Sequence, residues 1–408
     1  MICARRSEPV RKTPIGWPHL LVVTVMLVLV TKVHPEPSRS LDPLAVLALF
    51  PLVVVMHELG HAAAALLVGH RILEIRFGVG PGVALPLGRW RLAVGLLPVA
   101  GYVMTGSLDP AAYRSKRLLV MGAGIAVNAV VFVWMWTHED PSAAVQMFAF
   151  VNLLVVVENL LPYSLRTPYG PVRTDGLGFL RTLLDSDLEL SEERAKFAVT
   201  AARAAAERSD WEETRRIADE AFARTPRSPV LRTWLGETAA ASGDHATARR
   251  IFRELVDEDR NAKVPVLSGR DVVGVAAHLN DLAWCDLMLE DPGLVDEATE
   301  ASRAALELLP LHPGIRGTRS LALIAAGRPG EGIELAHAAY AKTREARARS
   351  SLAAVLAIGY ARDWRARQAE RWIGVARRWD PDCPLLPRAE AELAALRSAG
   401  DGAVAESG

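Results

Sequence analysis

The stretch Met56–Gly69, MHELGHAAAALLVG, constrains this chain more than any other. His57 and His61 are spaced i and i+4, so on a helix both imidazoles leave one face and can share a metal ion, with Glu58 beside them as a candidate general base. Two histidines at that spacing are also compatible with ordinary packing. The surroundings argue against it: Leu44–Met56 and Ala62–Val68 carry no charge, and ionisable groups inside an apolar helix of membrane length are costly unless they have a task.

Four apolar segments approach the roughly 20 residues that about 30 Å of hydrocarbon requires. They are Ile15–Val33, Leu44–Gly69, Leu118–Thr137 and Ala143–Leu161. Arg5, Arg6, Arg11 and Lys12 precede the first, but the following HPEPSRS offers no small-residue cleavage site, so it reads as an anchor rather than a signal peptide. The second is long enough to need tilt or a kink, for which Pro51 is the natural place. Basic residues favour the cytoplasmic side. They cluster at the amino terminus and between the second and third segments (Arg71, Arg76, Arg89, Arg91, Arg114, Lys116, Arg117), whereas the link between the third and fourth holds only Glu139 and Asp140. The expectation is a multi-pass integral membrane protein with both termini and the region after the spans in the cytoplasm, and with His57 and His61 in the cytoplasmic half of the second span.

The formal net charge of zero hides two parts. Up to Ser186 there are 16 Lys and Arg against 11 Asp and Glu, and after it 31 against 36. Cys3, Cys285 and Cys383 lie far apart with no CxxC pairing, so neither a disulfide framework nor a thiolate zinc site is expected, and a metal must use His and carboxylate.

Between the second and third spans, ILEIRFGVGPGVALPLGRWRLAVGLLPVAGYVMTG has short β-favouring runs punctuated by Gly and Pro. It reads as a hairpin or small sheet at the membrane face, with an edge able to take an extended peptide as an added strand. The third span carries Gly122, Gly124 and Asn128. The glycines read as packing residues, and Asn128 either as an interhelical hydrogen bond or as a residue near substrate. The fourth span ends at Glu158, Asn159 and Pro162, and Asp175 then opens a short amphipathic segment.

A catalytic zinc site takes three protein ligands and leaves the fourth position to water. An extended HExxHxxGxxH motif would need Gly at 64 and His at 67, which are Ala64 and Leu67. His70 and Glu74 follow the helix too closely to swing back comfortably. Glu158 and Asp175 remain.

These residues resemble the site-2 protease family of intramembrane zinc metalloproteases. HELGH looks like the family's HExxH, and LLPVAGYV (Leu96–Val103) is similar to its Pro-x-Gly-Gly-Tyr segment with Ala100 in the first glycine's place. GIAVN (Gly124–Asn128) resembles its Gly-Pro-x-x-Asn motif with Ile125 for proline, and NLLP followed by Asp175-Gly176 resembles its Asn-x-x-Pro and Asp-Gly signature. The likeness covers about 44–184 and includes no PDZ-like insert. It implies Zn2+ held by His57, His61 and Asp175, with Asn128 near the scissile peptide. In that scheme Glu58 accepts a proton from the attacking water and passes it to the leaving nitrogen.

After Leu184 the chain becomes Ala-, Arg- and Leu-rich with helical periodicity and a repeat of about 34 residues. Asp210 and Asp244 mark equivalent turns, and Leu235-Gly236, Ala248 and Phe252 stand where tetratricopeptide repeats place Leu-Gly, Ala and a large apolar residue. Such helix pairs stack into a solenoid that binds peptides or proteins. His245, His278 and His337 read as solvated or packing residues, and Trp211, Trp234, Trp284, Trp364, Trp372 and Trp379 as packing anchors. The acidic balance disfavours nucleic acid.

The expected fold is therefore predominantly all-α. A polytopic membrane helix bundle of about four spans, with a small membrane-associated β hairpin or sheet, precedes a soluble α-solenoid of tetratricopeptide type. The expected layout is a tail and anchor span over 1–40, an intramembrane metalloprotease core over 41–186, repeats over 187–399 and a disordered tail over 400–408. The expected function is an intramembrane zinc endopeptidase cleaving transmembrane protein substrates near the cytoplasmic side of the bilayer, with repeats that bind substrate or a regulator. The alternative is a membrane-anchored repeat scaffold with a vestigial or structural site.

Overall fold

The computed structural model describes residues 43–138, 142–167, 170–261 and 269–405. The expected first span, Cys3, the Glu139–Asp140 link and Pro168 lie outside them. The chain divides into two compact units, with the boundary between Leu231 and Arg232.

The first unit opens with α1 (Pro43–Leu67), which runs through Pro51 without a break. Its pattern is inverted relative to a helix of a water-soluble core. His57, Glu58 and His61 are buried while Leu52, Leu59 and Leu66 are exposed. A hairpin follows, β1 (Arg71–Leu87) and β2 (Trp90–Gly106). Its turn is tight, with Gly88 at φ 66°, a conformation that suits a residue without Cβ. The ends pair antiparallel, Arg71 with Gly106 and Leu87 with Trp90. Residues 74–77 of β1 lie opposite both 101–104 and 91–94, so each long strand bends back and the start of β1 has a neighbour on either side. Val83, Leu85, Val94, Leu96 and Leu97, toward the turn, are exposed.

Next come α2 (Tyr113–Trp136) and α3 (Ala143–Leu160), which pack on α1 and on each other. Val53, Val151 and Val155, with Phe50 and Phe148, close the α1–α3 contact. Ala48–Leu67 and Tyr113–Trp136 are long and apolar enough to cross a membrane; the apolar part of α3, Ala144–Leu160, is shorter. Beyond α3 a small hairpin, β3 (Ser164–Thr167) with β4 (Gly170–Arg173), leads into α4 (Asp175–Leu184).

The same unit continues through α5 (Asp187–Glu207) and α6 (Trp211–Arg224), past the change in composition near 186. A Ser186–Glu189 capping box starts α5. The two helices are fastened to the apolar part by packing and charge. Phe197 lies under Gly106, where an added Cβ would come within 2.6 Å of its ring. Arg71 pairs with Glu213 at 3.1 Å, Arg114 with Asp187 at 3.1 Å, and Arg117 with Glu193.

The second unit holds most of α7 (Pro229–Ala241), then α8 (His245–Asn261), α9 (Gly269–Met288), α10 (Val295–Leu308), α11 (Pro313–Ala325), α12 (Pro329–Lys342), α13 (Ala346–Arg362), α14 (Ala366–Trp379) and α15 (Leu386–Ala405). Consecutive helices pack around buried alanines such as Ala248, Ala301, Ala322, Ala336, Ala353 and Ala369, whose small side chains let helices approach closely. Positive φ recurs at the turn residues Ser209, Gly243, Glu290, Gly327 and Trp364, which confirms a repeated helix–turn–helix unit. Trp284 and Trp372 pack on the core, but Trp211 and Trp364 are 61% and 73% exposed and do not serve as the anchors the sequence suggested. His278 is held between Thr233 and Asp259, and His337 packs on Tyr360 and Trp372. Helix α15 runs to Ala405, and residues 406–408 of the expected tail lie outside the described residues.

Candidate metal centre

Two turns of α1 place His57 and His61 on its inward face, and α4 brings Asp175 to them from 114 residues further on. His57 Nε2 and His61 Nε2 lie 2.8 and 3.0 Å from Asp175 Oδ2 and 3.1 Å from each other. One ligand atom from each residue thus falls within 4.8 Å of the others, a grouping that can hold a metal ion.

The other ring nitrogens fix what these three atoms are. His61 Nδ1 is 2.6 Å from Val120 O, and a carbonyl only accepts, so Nδ1 carries the hydrogen. For His57 the assignment passes through two amides. Phe148 O accepts from Asn152 Nδ2 at 2.8 Å, so Asn152 turns its Oδ1 to Asn128 Nδ2 at 2.9 Å, and Asn128 in turn presents Oδ1 to His57 Nδ1 at 3.0 Å. Both imidazoles therefore aim Nε2 lone pairs at one point. Asp175 turns one carboxylate oxygen, Oδ2, to the same point. Three acceptors converging on one point call for a cation. A tetrahedral zinc site with bonds of about 2.0–2.1 Å sets ligand atoms about 3.3 Å apart, and the observed triangle is only a few tenths of an ångström tighter. Zinc fits this donor set.

Two glycines make room for the centre. A Cβ on Gly124 of α2 would lie 2.4 Å from His61 Nε2 and 2.8 Å from His57 Nε2. A Cβ on Gly101 of β2 would lie 2.6 Å from Glu58 Cγ and 2.9 Å from its Oε1. Sequence reasoning read Gly124 as a packing residue and gave Gly101 no role of its own. A glycine facing a histidine pair across a helix interface was the available signal, but the facing needs the third dimension.

The remaining candidates have other partners. Glu74 is buried against Arg91 and the Tyr102 hydroxyl, and burial together with that hydrogen bond pushes Tyr102 up to about 12. Tyr163 donates to Glu158 at 3.2 Å. His70 stacks on Tyr113, and burial beside Arg117 and Lys116 pushes it down to about 4, so it is neutral at physiological pH. Asn128 is fully buried, with both ends of its amide engaged.

The position of Asp175 is set from both ends of α4. Thr174 caps its first turn, accepting from Leu177 N at 3.4 Å, and donates to Leu161 O at 2.6 Å, clasping the loop that includes the small hairpin. At the other end Arg114 donates to Thr182 O, Leu183 O and Asp185 O at 2.7, 3.1 and 2.7 Å. Gly176 fits where a Cβ would meet Leu160 O at 2.3 Å.

The His–His–carboxylate grouping thus lies next to the buried Glu58, on and beside helices of membrane length. Residues 45–139 match the model of peptidase family M50, a family of zinc metalloproteases. No curated protein matches the chain. Among solved structures it is similar to a thermophilic TPR protein of Thermus thermophilus, with 17% identity over 49% of this chain and 98% of that one and a TM-score of 0.36. It is also similar to YrrB, a TPR protein with an unusual peptide-binding site (16% identity, 50% and 95% coverage, TM-score 0.32), and to the TPR domain of P58(IPK) (13% identity, 72% and 80% coverage, TM-score 0.26).

Proposed function

We propose that this chain is an intramembrane zinc endopeptidase that cuts membrane-anchored proteins near the cytoplasmic side. The observation that carries the reading is the convergence of two oriented Nε2 lone pairs and the Asp175 carboxylate beside Glu58, on helices whose outer faces are leucine and valine. His57, His61 and Asp175 are the ligands. Bound there, zinc supplies Lewis-acid polarisation of the peptide carbonyl and acidifies water.

The protein's own groups do the rest. Glu58 is the general base: its carboxylate takes a proton from the attacking water and returns it to the departing amide nitrogen. Asn128 and Val120 O keep the imidazoles in one tautomer and one orientation. Gly101 lets β2 pass against Glu58, so a substrate segment unwound to an extended form and laid along this strand would carry its peptide bond past the base. The exposed apolar residues toward the turn of the β1–β2 hairpin favour a position at the membrane face, and the repeats supply the surface for a protein or peptide partner.

A Glu58→Gln variant tests this. It is expected to keep its fold and its zinc and to lose cleavage, so that membrane fragments accumulate in cells that carry it. Undiminished proteolysis by Glu58→Gln overturns the mechanism. Wild-type protein that holds no zinc yet still binds partners through its repeats favours the scaffold instead.

A further inference from the structure

Helix α4 is built inside out. The residues it turns toward α2 are small or polar: Thr182 is 2% exposed and accepts from Arg117 Nε at 3.2 Å, and Gly178 sits so close to Met121 that an added Cβ would be 3.0 Å from its sulfur. The residues it turns outward are Leu180, Leu183 and Leu184, 41%, 49% and 74% exposed, with Phe179 at the edge; Leu188, the second residue of α5, is 72% exposed. A short helix facing water hides its apolar stripe and shows its polar one. This helix does the reverse, though at ten residues it is too short to cross a bilayer.

We infer that α4 lies in the membrane–water interface, with Leu180, Leu183, Leu184 and Leu188 among the acyl chains of the bilayer. The inference rests on the reading of α1 and α2 as membrane spans. Two observations identify the occupant. First, α4 packs on α2, whose outward residues Leu119, in its first half, and Val130, further along, are 63% and 67% exposed, so the apolar face of α4 continues the lipid-facing surface of a span. Second, exposed Arg173 and Arg181 flank the face, placed to reach lipid phosphates while their stems lie along apolar surface. The helix that delivers Asp175 is then gripped by Arg114 and Arg117 on its protein side and by lipid on the other. Unlike α1 and α2, it is seated by the bilayer surface rather than by crossing it.

Site-directed spin labelling tests this on the full-length protein with Cys3, Cys285 and Cys383 replaced by alanine. Single Leu183→Cys, Leu184→Cys, Arg181→Cys and Val130→Cys variants are labelled in vesicles of mixed neutral and anionic phospholipid. Relaxation by oxygen, which partitions into hydrocarbon, is compared with relaxation by a water-soluble nickel chelate. The expected result is an oxygen-to-nickel ratio at positions 183 and 184 several-fold above that at 181 and approaching that at 130. An aqueous reading at 183 and 184 with a lipid reading at 130 overturns the interfacial helix and leaves the spans intact. Protection of 183 and 184 from both reagents overturns it in favour of a protein cover. An aqueous reading at 130 removes the span assignment and this inference with it.

Discussion

Gly124 offers the sharpest test of the centre because its substitution removes no ligand and no base. Replacing it with alanine puts a methyl carbon 2.4 Å from His61 Nε2 and 2.8 Å from His57 Nε2 and Cε1. Carbon and nitrogen settle at about 3.5 Å, so the imidazoles or α2 must retreat by about 1 Å. Metal–ligand distances are held to about 0.2 Å, several times less than that retreat. Changes in groups that merely orient ligands already cost about 10–100-fold in affinity, so a loss on the order of 100-fold in zinc affinity is expected, with a parallel loss of cleavage. Gly122, two residues earlier on the same helix, is the control. Its added Cβ would meet only Phe179 Cε2 at 4.0 Å, and removing a glycine from a helix stabilises it by roughly 0.5–1 kcal/mol. Zinc affinity measured by chelator competition on both purified variants decides the matter. Wild-type zinc affinity in Gly124→Ala refutes the centre, and an equal loss in Gly122→Ala assigns the effect to general damage to α2.

Gly101→Ala should separate the base from the metal: the new methyl collides with Glu58, so cleavage falls by about 100-fold while bound zinc, measured by metal analysis, is unchanged. Asn128→Ala removes the acceptor of His57 Nδ1–H and the partner of Asn152, both buried; zinc affinity should drop by about 10–100-fold, seen in the same chelator titration. His70 has a folded pKa of about 4 against an ordinary 6.5. Its neutral form is the one the fold accepts, so its contribution is complete above pH 6.5 and is lost as pH falls toward 4, by about 3 kcal/mol at pH 4. Thermal melts in nanodiscs should show His70→Phe, which can keep the stack on Tyr113, losing less stability between pH 7 and pH 4 than the wild type. Equal losses would disprove the role of His70.

What could be read from the sequence followed the reach of each signal. His57, Glu58 and His61 are set by one helical period, so their common face was legible from spacing alone. Asp210 and Asp244, marking helix–helix turns, were legible for the same local reason. Asp175 was reachable only through likeness to a family, because its approach to α1 depends on Thr174 clasping Leu161 O and on a hairpin whose ends meet through space. The doubled neighbours of residues 74–77 were not legible at all, since strand periodicity says which face a residue takes but not how many strands flank it. Composition marked a change near 186, yet the compact unit runs on to Leu231. Arg71, Arg114 and Arg117 hold Glu213, Asp187 and Glu193, and single charges of that kind look like any solvated surface in one dimension.

Those ion pairs also put the helical hairpin α5–α6 in series with the metal site. Arg114 is shared: one guanidinium binds the last carbonyls of α4 and the Asp187 carboxylate at the start of α5. Arg117 likewise joins Thr182 of α4 to Glu193 of α5. A rotation of α5 that broke these contacts would release the carboxyl end of α4, leaving Asp175 held by Thr174 and by the packing of Gly176 and Gly178. His57 and His61 are braced instead by Asn128 and Val120 O of α2, with Asn152 of α3 behind Asn128. The carboxylate is therefore linked to α5 through the carboxyl end of α4, whereas the two imidazoles are not.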